Sequence, residues 1–287
     1  MTVVNEVCGA EGSKTKNTGG KKQRLEGAVR TYALAKGNFT FESIKDAKSK
    51  EKWDEAKQNK DIVIFYDIEE LEVNNREEQI TEGRYSDYKS KDAIKGVNYT
   101  HYLSSCSYEA LKSFESSEYN RVFRITENNE LLCVVKDDGK VQGEPLNSFL
   151  VGIRNDAPAD GVPNCQVMLK FNPYKLSVLK PEFDMSDYEG IYDVRLELVS
   201  ATATSIKFKA MAVCSCNAIK SFEESNVVVK DASGAVETVS FVSPDPDGVY
   251  EITGTDFANG YELDLDGVIA QTEIMYESEA PLSIQLD

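Results

Sequence analysis

Histidine is almost absent: the chain of 287 residues holds one, His101. A single imidazole excludes a histidine-ligated metal cluster, and any Ser–His–acid triad would have to be built on that residue. No G-x-S-x-G surrounds a serine, and no Walker or dinucleotide glycine pattern occurs. No apolar run approaches the ~20 residues that span a bilayer. The opening residues, MTVVNEVCGAEGSKTKNTGGKKQR, lack a basic start followed by an apolar stretch, so neither a membrane span nor a secretory signal is expected. Bases are outnumbered, 32 Lys and Arg against 49 Asp and Glu, for a net charge of −17. A nucleic-acid-binding surface needs clustered cations to displace counterions, so stable binding to DNA or RNA is not expected. The excess of acid suits solubility at high local concentration, or a surface that lies close to DNA without sticking to it.

The cysteines lack a pattern too. Cys8, Cys106, Cys133, Cys165, Cys214 and Cys216 are scattered apart from one C-x-C, whereas zinc sites pair cysteines and add a second pair or histidines downstream. Cys106, Cys133 and Cys214 lie in apolar contexts that read as strands, where a thiol behaves as a small hydrophobe. Reduced, buried cysteines are expected in a protein folded in a cytoplasm. Cys214 and Cys216 would share one face of a strand. Acidic pairs such as Glu69/Glu70, Glu77/Glu78, Asp137/Asp138 and Asp264/Asp266 are what so many acids produce by chance. Asp245-Pro246-Asp247-Gly248 and Asp264-Leu265-Asp266-Gly267 lack the full calcium-loop spacing and read as tight turns. No catalytic residue, cofactor site, metal ligand or cofactor is therefore expected, and no enzyme.

What the chain does have is alternation, and 41% apolar residues with which to fill a core. Residues 96–137 frame the rest: GVNYTHYLSSC, SYEALKSFE and RVFRITENNELLCVVKD read as a strand, a short helix and a hairpin. Val97, Tyr99, His101 and Leu103 recur with the period of a half-buried strand, and His101 reads as a hydrogen-bonded strand residue. Ser107 stands where an N-cap would, with Tyr108, Leu111 and Lys112 along one helical face. Asn128 and Asn129 supply turn chemistry between residues 121–125 and 131–135.

Ahead of that block, residues up to about 30 are rich in Gly, Ser, Thr and Lys and read as a flexible arm. Residues 31–41 read as a strand. Ser43-Ile44-Lys45-Asp46 resembles a capping box, opening a mostly exposed helix docked by Ile44, Ala47, Trp53 and Ala56. DIVIFYD, residues 61–67, is a buried strand, and the acidic residues 69–82 suggest a solvent loop. Residues 83–95 alternate without being very apolar, as a long hairpin wet on one face would. Such a hairpin lacks partners in a monomer, so Tyr85, Tyr88, Lys91, Val97, Tyr99, His101 and Leu103 are candidates for an inter-subunit hairpin.

Further strands are expected at residues 149–153, 165–171 and 174–179, with a loop at 156–163. The polar, turn-rich residues 181–190 place a domain boundary near Tyr188. From Ile191 the alternation is cleaner: YDVRLELVSAT, SIKFKAMAVCSC, NVVVKD, VETVSFVS, GVYEITGTD, GYELDLDG and PLSIQLD are separated by Gly, Asp, Pro and Ser turns. About seven short strands in ~100 residues is the pattern of an immunoglobulin-like sandwich. The antibody Cys…Trp…Cys signature is missing, since Trp53 is the only tryptophan. The expected fold is mainly β: a sandwich- or barrel-like domain with one or two short helices at 1–188, then an immunoglobulin-like β-sandwich at 189–287.

The helix SIKDAKSKEKWDEA, the strand DIVIFYD, an acidic loop, then GVNYTHYLSSCSYEALKSF and VFRITENNELLCV follow one another in a recognisable order. With Cys106, Ala110, Leu111, Lys112, Phe114, Val122, Phe123 and Leu131 as matching positions, this resembles the major tail tube proteins of long-tailed phages that infect Bacteroides-like hosts. GVYEITGTDFANGYELDLDG resembles the immunoglobulin-like modules appended to such virion proteins. The resemblance implies a hexameric ring, stacked into a tube whose subunits join long hairpins into a continuous barrel. It implies an acidic lumen through which DNA passes without lasting contact, assembly in the host cytoplasm, and tape measure and terminator proteins as partners. A head–tail connector ring or a tail terminator is the alternative within the virion. A host-surface binding module is another, with Tyr250, Phe257, Tyr261 and Tyr276 as its contact residues, although core packing is the stronger reading of these aromatics.

Overall fold

A computed structural model describes residues 26–286 other than Tyr66, Gly83, Ser116, Ser117, Asp187, Thr272 and Glu273. Most of the arm expected at residues 1–30, with Cys8, lies outside the described residues. The chain divides into two compact units, Met1–Tyr188 and Glu189–Asp287, and both are built mainly of β-strands.

In the first unit the elements run β1 (Val29–Ala35), α1 (Ile44–Lys48), α2 (Lys50–Gln58), β2 (Ile62–Ile64), β3 (Glu70–Val73), β4 (Gln79–Glu82), β5 (Asp87–Lys91), β6 (Gly96–Tyr102), α3 (Ser105–Lys112), β7 (Arg121–Thr126), β8 (Leu131–Val135), β9 (Val141–Gln142), β10 (Glu144–Val151), β11 (Asn164–Phe171) and β12 (Ser177–Leu179). Ten of these strands form one sheet in the order β12-β8-β7-β10-β11-β6-β3, with β1 joined to β7 and β2, and β9 to β8. β10 turns the corner of this sheet. Glu144 and Pro145 pair with β7, the following residues pair with β11, and the register shifts between Leu146 and Ser148. A bulge of this kind bends a strand and lets a sheet curl.

The curled sheet has two cores. Tyr32, Leu34, Tyr99, Phe149, Val167 and Leu169 fill one, with Leu111 of α3. Ala33, Ala35, Phe123 and Ile125 face the other way, against Ala47, Trp53 and Ala56 of the helices. β1 is thus buried on both faces, which is why its alternation is weak in the sequence. The Trp53 ring lies 5.4 Å from both Phe41 and Phe123, and its indole N–H donates to the Ala47 carbonyl at 2.9 Å. The single helix expected after Ser43 is two, because Ser49 adopts extended backbone between them. Ser43 caps the first as expected, its hydroxyl accepting from the Asp46 amide. Helix α3 is capped by Ser104, three residues before the expected Ser107, whose amide donates to the Ser104 hydroxyl at 3.1 Å. Asn129 takes the left-handed conformation, φ +57°, that the β7–β8 turn requires. The polar stretch after Pro181 does more than link, since Met185 and Tyr188 are buried on the Trp53 side of the sheet.

The second unit comprises β13 (Ile191–Ala201), β14 (Ser205–Ala212), β15 (Val227–Lys230), β16 (Ser240–Val242), β17 (Val249–Thr253), β18 (Glu262–Leu265), β19 (Ile269–Gln271), β20 (Ile274–Ser278) and β21 (Leu282–Ser283). A six-stranded sheet, β16-β17-β14-β13-β20-β19, and a three-stranded one, β15-β18-β21, share a core that includes Phe208, Tyr250, Ile252, Val229 and Leu263. This is the expected two-sheet sandwich. β19 and β20 were not among the seven expected strands. β20 pairs in parallel with β13, and that long-range contact leaves no local signature.

Cys133 and Cys165 are buried free thiols, and burial pushes both up in pKa. The other expectations for cysteine fail. Cys106 is helical and Cys214 lies in a turn, neither is a free thiol, and Cys216 is an exposed turn residue at φ +55°.

Candidate assembly surface

The strands β3 and β6 pair from Glu70↔Thr100 to Val73↔Val97. Arg76 then bridges Ile94, and Gln79 pairs with Lys91. All these pairs keep one register, so β3–β6 and β4–β5 are successive parts of a single antiparallel ribbon. It slips by one residue only between Gln79 and Ile80. Its arms are residues 70–82 and 87–102, with residues 84–86 at the tip. This corrects the sequence reading, which placed a loop at 69–82 and began the hairpin at residue 83. On an arm that is wet on both faces the surrounding acids outweigh the short alternation of Leu71 and Val73, so it passes for a loop.

The inner part of the ribbon belongs to the subunit's own core. Val97, Tyr99, His101 and Leu103, four of the seven candidate hairpin residues, are buried there, with Tyr99 and His101 at 0% exposure. They are removed from the candidate surface, because β6 is an interior strand between β11 and β3. His101 is satisfied within the chain. Its Nδ1 lies 3.0 Å from the Asp67 carbonyl, which can only accept, so Nδ1 carries the proton and Nε2 accepts from the Tyr32 hydroxyl at 3.2 Å. Burial pushes this imidazole below its ordinary pKa of 6.5, more than the Asp67 carbonyl raises it.

The root of the ribbon is tied down by a polar collar. Asn74 Nδ2 donates to Asn98 Oδ1 at 2.9 Å, the Gly96 amide donates to Asn75 Oδ1 at 3.0 Å, and Lys170 Nζ donates to the Asn74 carbonyl. Gly96 is required by close approach, since a Cβ there would collide with the Asn74 carbonyl and with Lys170. Lys95 Nζ donates to the Tyr174 hydroxyl at 2.8 Å, which donates to Glu144. Glu144, fully buried, holds Arg124 through two hydrogen bonds of 2.5 and 2.7 Å. Burial alone would lower the Arg124 pKa, but the Glu144 carboxylate outweighs it and keeps the guanidinium charged. Lys95 is lowered, first by burial and then by the Arg124 charge.

Beyond the collar the ribbon has only itself. Residues 76–82 and 84–89 are exposed, among them Ile80 at 55%, Tyr85 at 88% and Tyr88 at 64%. Tyr85, Tyr88 and Lys91 are the candidate residues that stand on this outer part. Among the described residues β4 pairs only with β5. Lys89 bridges Glu78 and Asp92, each at 2.9 Å. Nine residues from Asn74 to the end of β4 span ~30 Å at strand rise. A two-stranded ribbon of this kind is at best marginally stable in water on its own.

Elsewhere the aromatics weighed for a binding module are core. Tyr250 and Phe257 are buried, and Tyr261 and Tyr276 pack against the same cluster. The Asp245 turn is a tight turn, its carboxylate accepting from the Val249 amide with Gly248 at φ +79°. Among the described residues no three His, Cys, Asp or Glu side chains gather as a metal site, and no helix is long and apolar enough to cross a membrane. Comparison with protein-family models, curated proteins and solved structures returned no significant match.

Proposed function

We propose that the chain is a structural virion protein, the subunit of a phage tail tube. Copies complete one another's ribbons around an open, acid-lined channel, and the rings stack into a tube through which DNA passes. The observation that carries this reading is the outer ribbon: a projecting two-stranded arm, with exposed Ile80, Tyr85 and Tyr88, that finds no third strand among the described residues. Open strand edges are templates for another chain, and closing them into a ring removes them. The net charge of −17 supports passage of DNA without binding. Tape measure and terminator proteins are its partners in this reading, and the virion tail its location after assembly in the host cytoplasm.

Negative-stain microscopy of the purified full-length chain tests the reading. Rings or tubes with an open centre are expected, and strictly monomeric protein at high concentration overturns it. Copy number per particle separates an abundant tube subunit from a connector or a terminator. Removing the second compact unit, residues 189–287, is expected to leave ring formation intact.

A further inference from the structure

We infer that charge along the ribbon dictates which edges meet, joining β5 of one copy to β4 of the next in one direction only. This rests on the reading above and adds to it a rule for pairing. The first arm, residues 70–82, carries five glutamates and one arginine, a net charge of −4. The second, residues 87–102, carries three lysines against two aspartates, a net charge of +1. A basic strand is unusual in a chain whose total is −17. Inside one subunit the two arms already use this difference, as in the Glu78–Lys89 pair at 2.9 Å.

Two copies can join such ribbons edge to edge in two ways. A two-fold axis sets β4 against β4, or β5 against β5, and places like charges opposite one another. Rotation about an axis running along the ribbon sets β5 beside the next copy's β4, again antiparallel, with basic residues facing acidic ones. Opposite charges across neighbouring strands stabilise the pairing and like charges oppose it. The unequal arms therefore disfavour the closed two-fold dimer and favour the head-to-tail contact, which repeats until it closes into a ring or runs on as a filament. Exposed Ile80 and Tyr88 supply apolar area for either geometry, so the charges decide the orientation.

A charge-swapped variant tests this while keeping the Glu78–Lys89 pair complementary in the reversed sense: Glu77→Lys, Glu78→Lys and Glu82→Lys combined with Lys89→Glu and Lys91→Glu. It is expected to assemble by itself at about the wild-type concentration. Mixed with differently labelled wild-type chain, it is expected to sort into separate particles, with mixed rings about ten-fold or more below the random proportion, because several like-charged cross-strand pairs oppose each mixed junction. Native mass spectrometry reads the proportion. Random mixing, or failure of the folded variant to assemble alone, overturns the pairing rule while wild-type rings keep the tube reading standing. If the wild-type chain forms no assembly, both fall. Should the fivefold variant lose its fold, the two half-swaps decide. Neither is expected to assemble alone and their equimolar mixture is expected to do so; a mixture that stays monomeric, or half-swaps that assemble as the wild type does, overturns the rule.

Discussion

The inner and outer parts of the ribbon make an instructive pair. They are the same two arms, in one register as far as Gln79, yet β6 of the inner part lies in the core and the outer part stands in solvent. The inner part is held by Tyr99 and His101 in the barrel-like core and by the collar of Gly96, Asn74, Lys95 and Lys170. The outer part has only its own ladder and solvent-screened ion pairs such as Glu78–Lys89, which contribute little. Backbone pairing alone does not make a strand stable. The apolar face behind it does, and for the outer part any such face has to come from another chain.

Breaking the collar tests the first half of that contrast, and Glu144→Ala carries the largest expected effect. It strands the buried Arg124 guanidinium, and loss of one member of a buried pair costs about 3–5 kcal/mol. Urea unfolding of the full chain checks this, and a loss below about 1 kcal/mol would mean that Glu144 does not hold the buried Arg124 charge as described. Gly96→Val is expected to cost about 1–3 kcal/mol through forced displacement at the root. Faster hydrogen exchange in β3 and β6 should accompany it, and unchanged exchange would deny the close approach at Gly96.

The His101 imidazole sharpens the contrast through pH. Its folded pKa is lowered by burial, so the unfolded chain takes up the proton first as pH falls below 6.5. Stability is therefore complete above that pH and declines below it. His101→Gln should flatten the fall in melting temperature between about pH 6.5 and 5, a range bounded above by the ordinary imidazole pKa. An unchanged slope would assign the decline to other groups. The smallest stability effect is expected at the tip. Ile80→Ser with Tyr88→Ser should move monomer stability by less than about 0.5 kcal/mol, as exposed substitutions do. The same variant should raise the concentration needed for assembly by about ten-fold or more, since it removes the apolar anchors of the interface. Equal assembly by this variant would shift the contact away from the outer ribbon.

Much of the fold was legible residue by residue. Val97, Tyr99, His101 and Leu103 mark β6 by their spacing, Asn129 marks the β7–β8 turn, and Ala47, Trp53 and Ala56 mark the docked face of the helices. The outer ribbon was half legible. Tyr85 and Tyr88 announced an extended segment without cover, but residues 70–82 did not announce the strand opposite. Ile68, Leu71 and Val73 alternate, but Glu70, Leu71, Glu72 and Val73 are all exposed, and the surrounding acids outweigh so short a period. The expected strand at residues 149–153 starts later than β10 does, because the first residues of β10, Glu144 and Pro145, are polar or ring-locked. They become strand only by crossing to β7 at the sheet corner.

The order of side chains determined where the backbone could extend, where it had to turn and which faces would seek cover, since these follow from local sterics and from apolar period. The tertiary structure alone decided which strand lies beside which, and therefore where the ribbon leaves the core and which edges stay open. Backbone hydrogen bonds between distant segments, such as those joining residues 70–73 to residues 97–100, are made by groups common to every residue and leave no mark in the sequence.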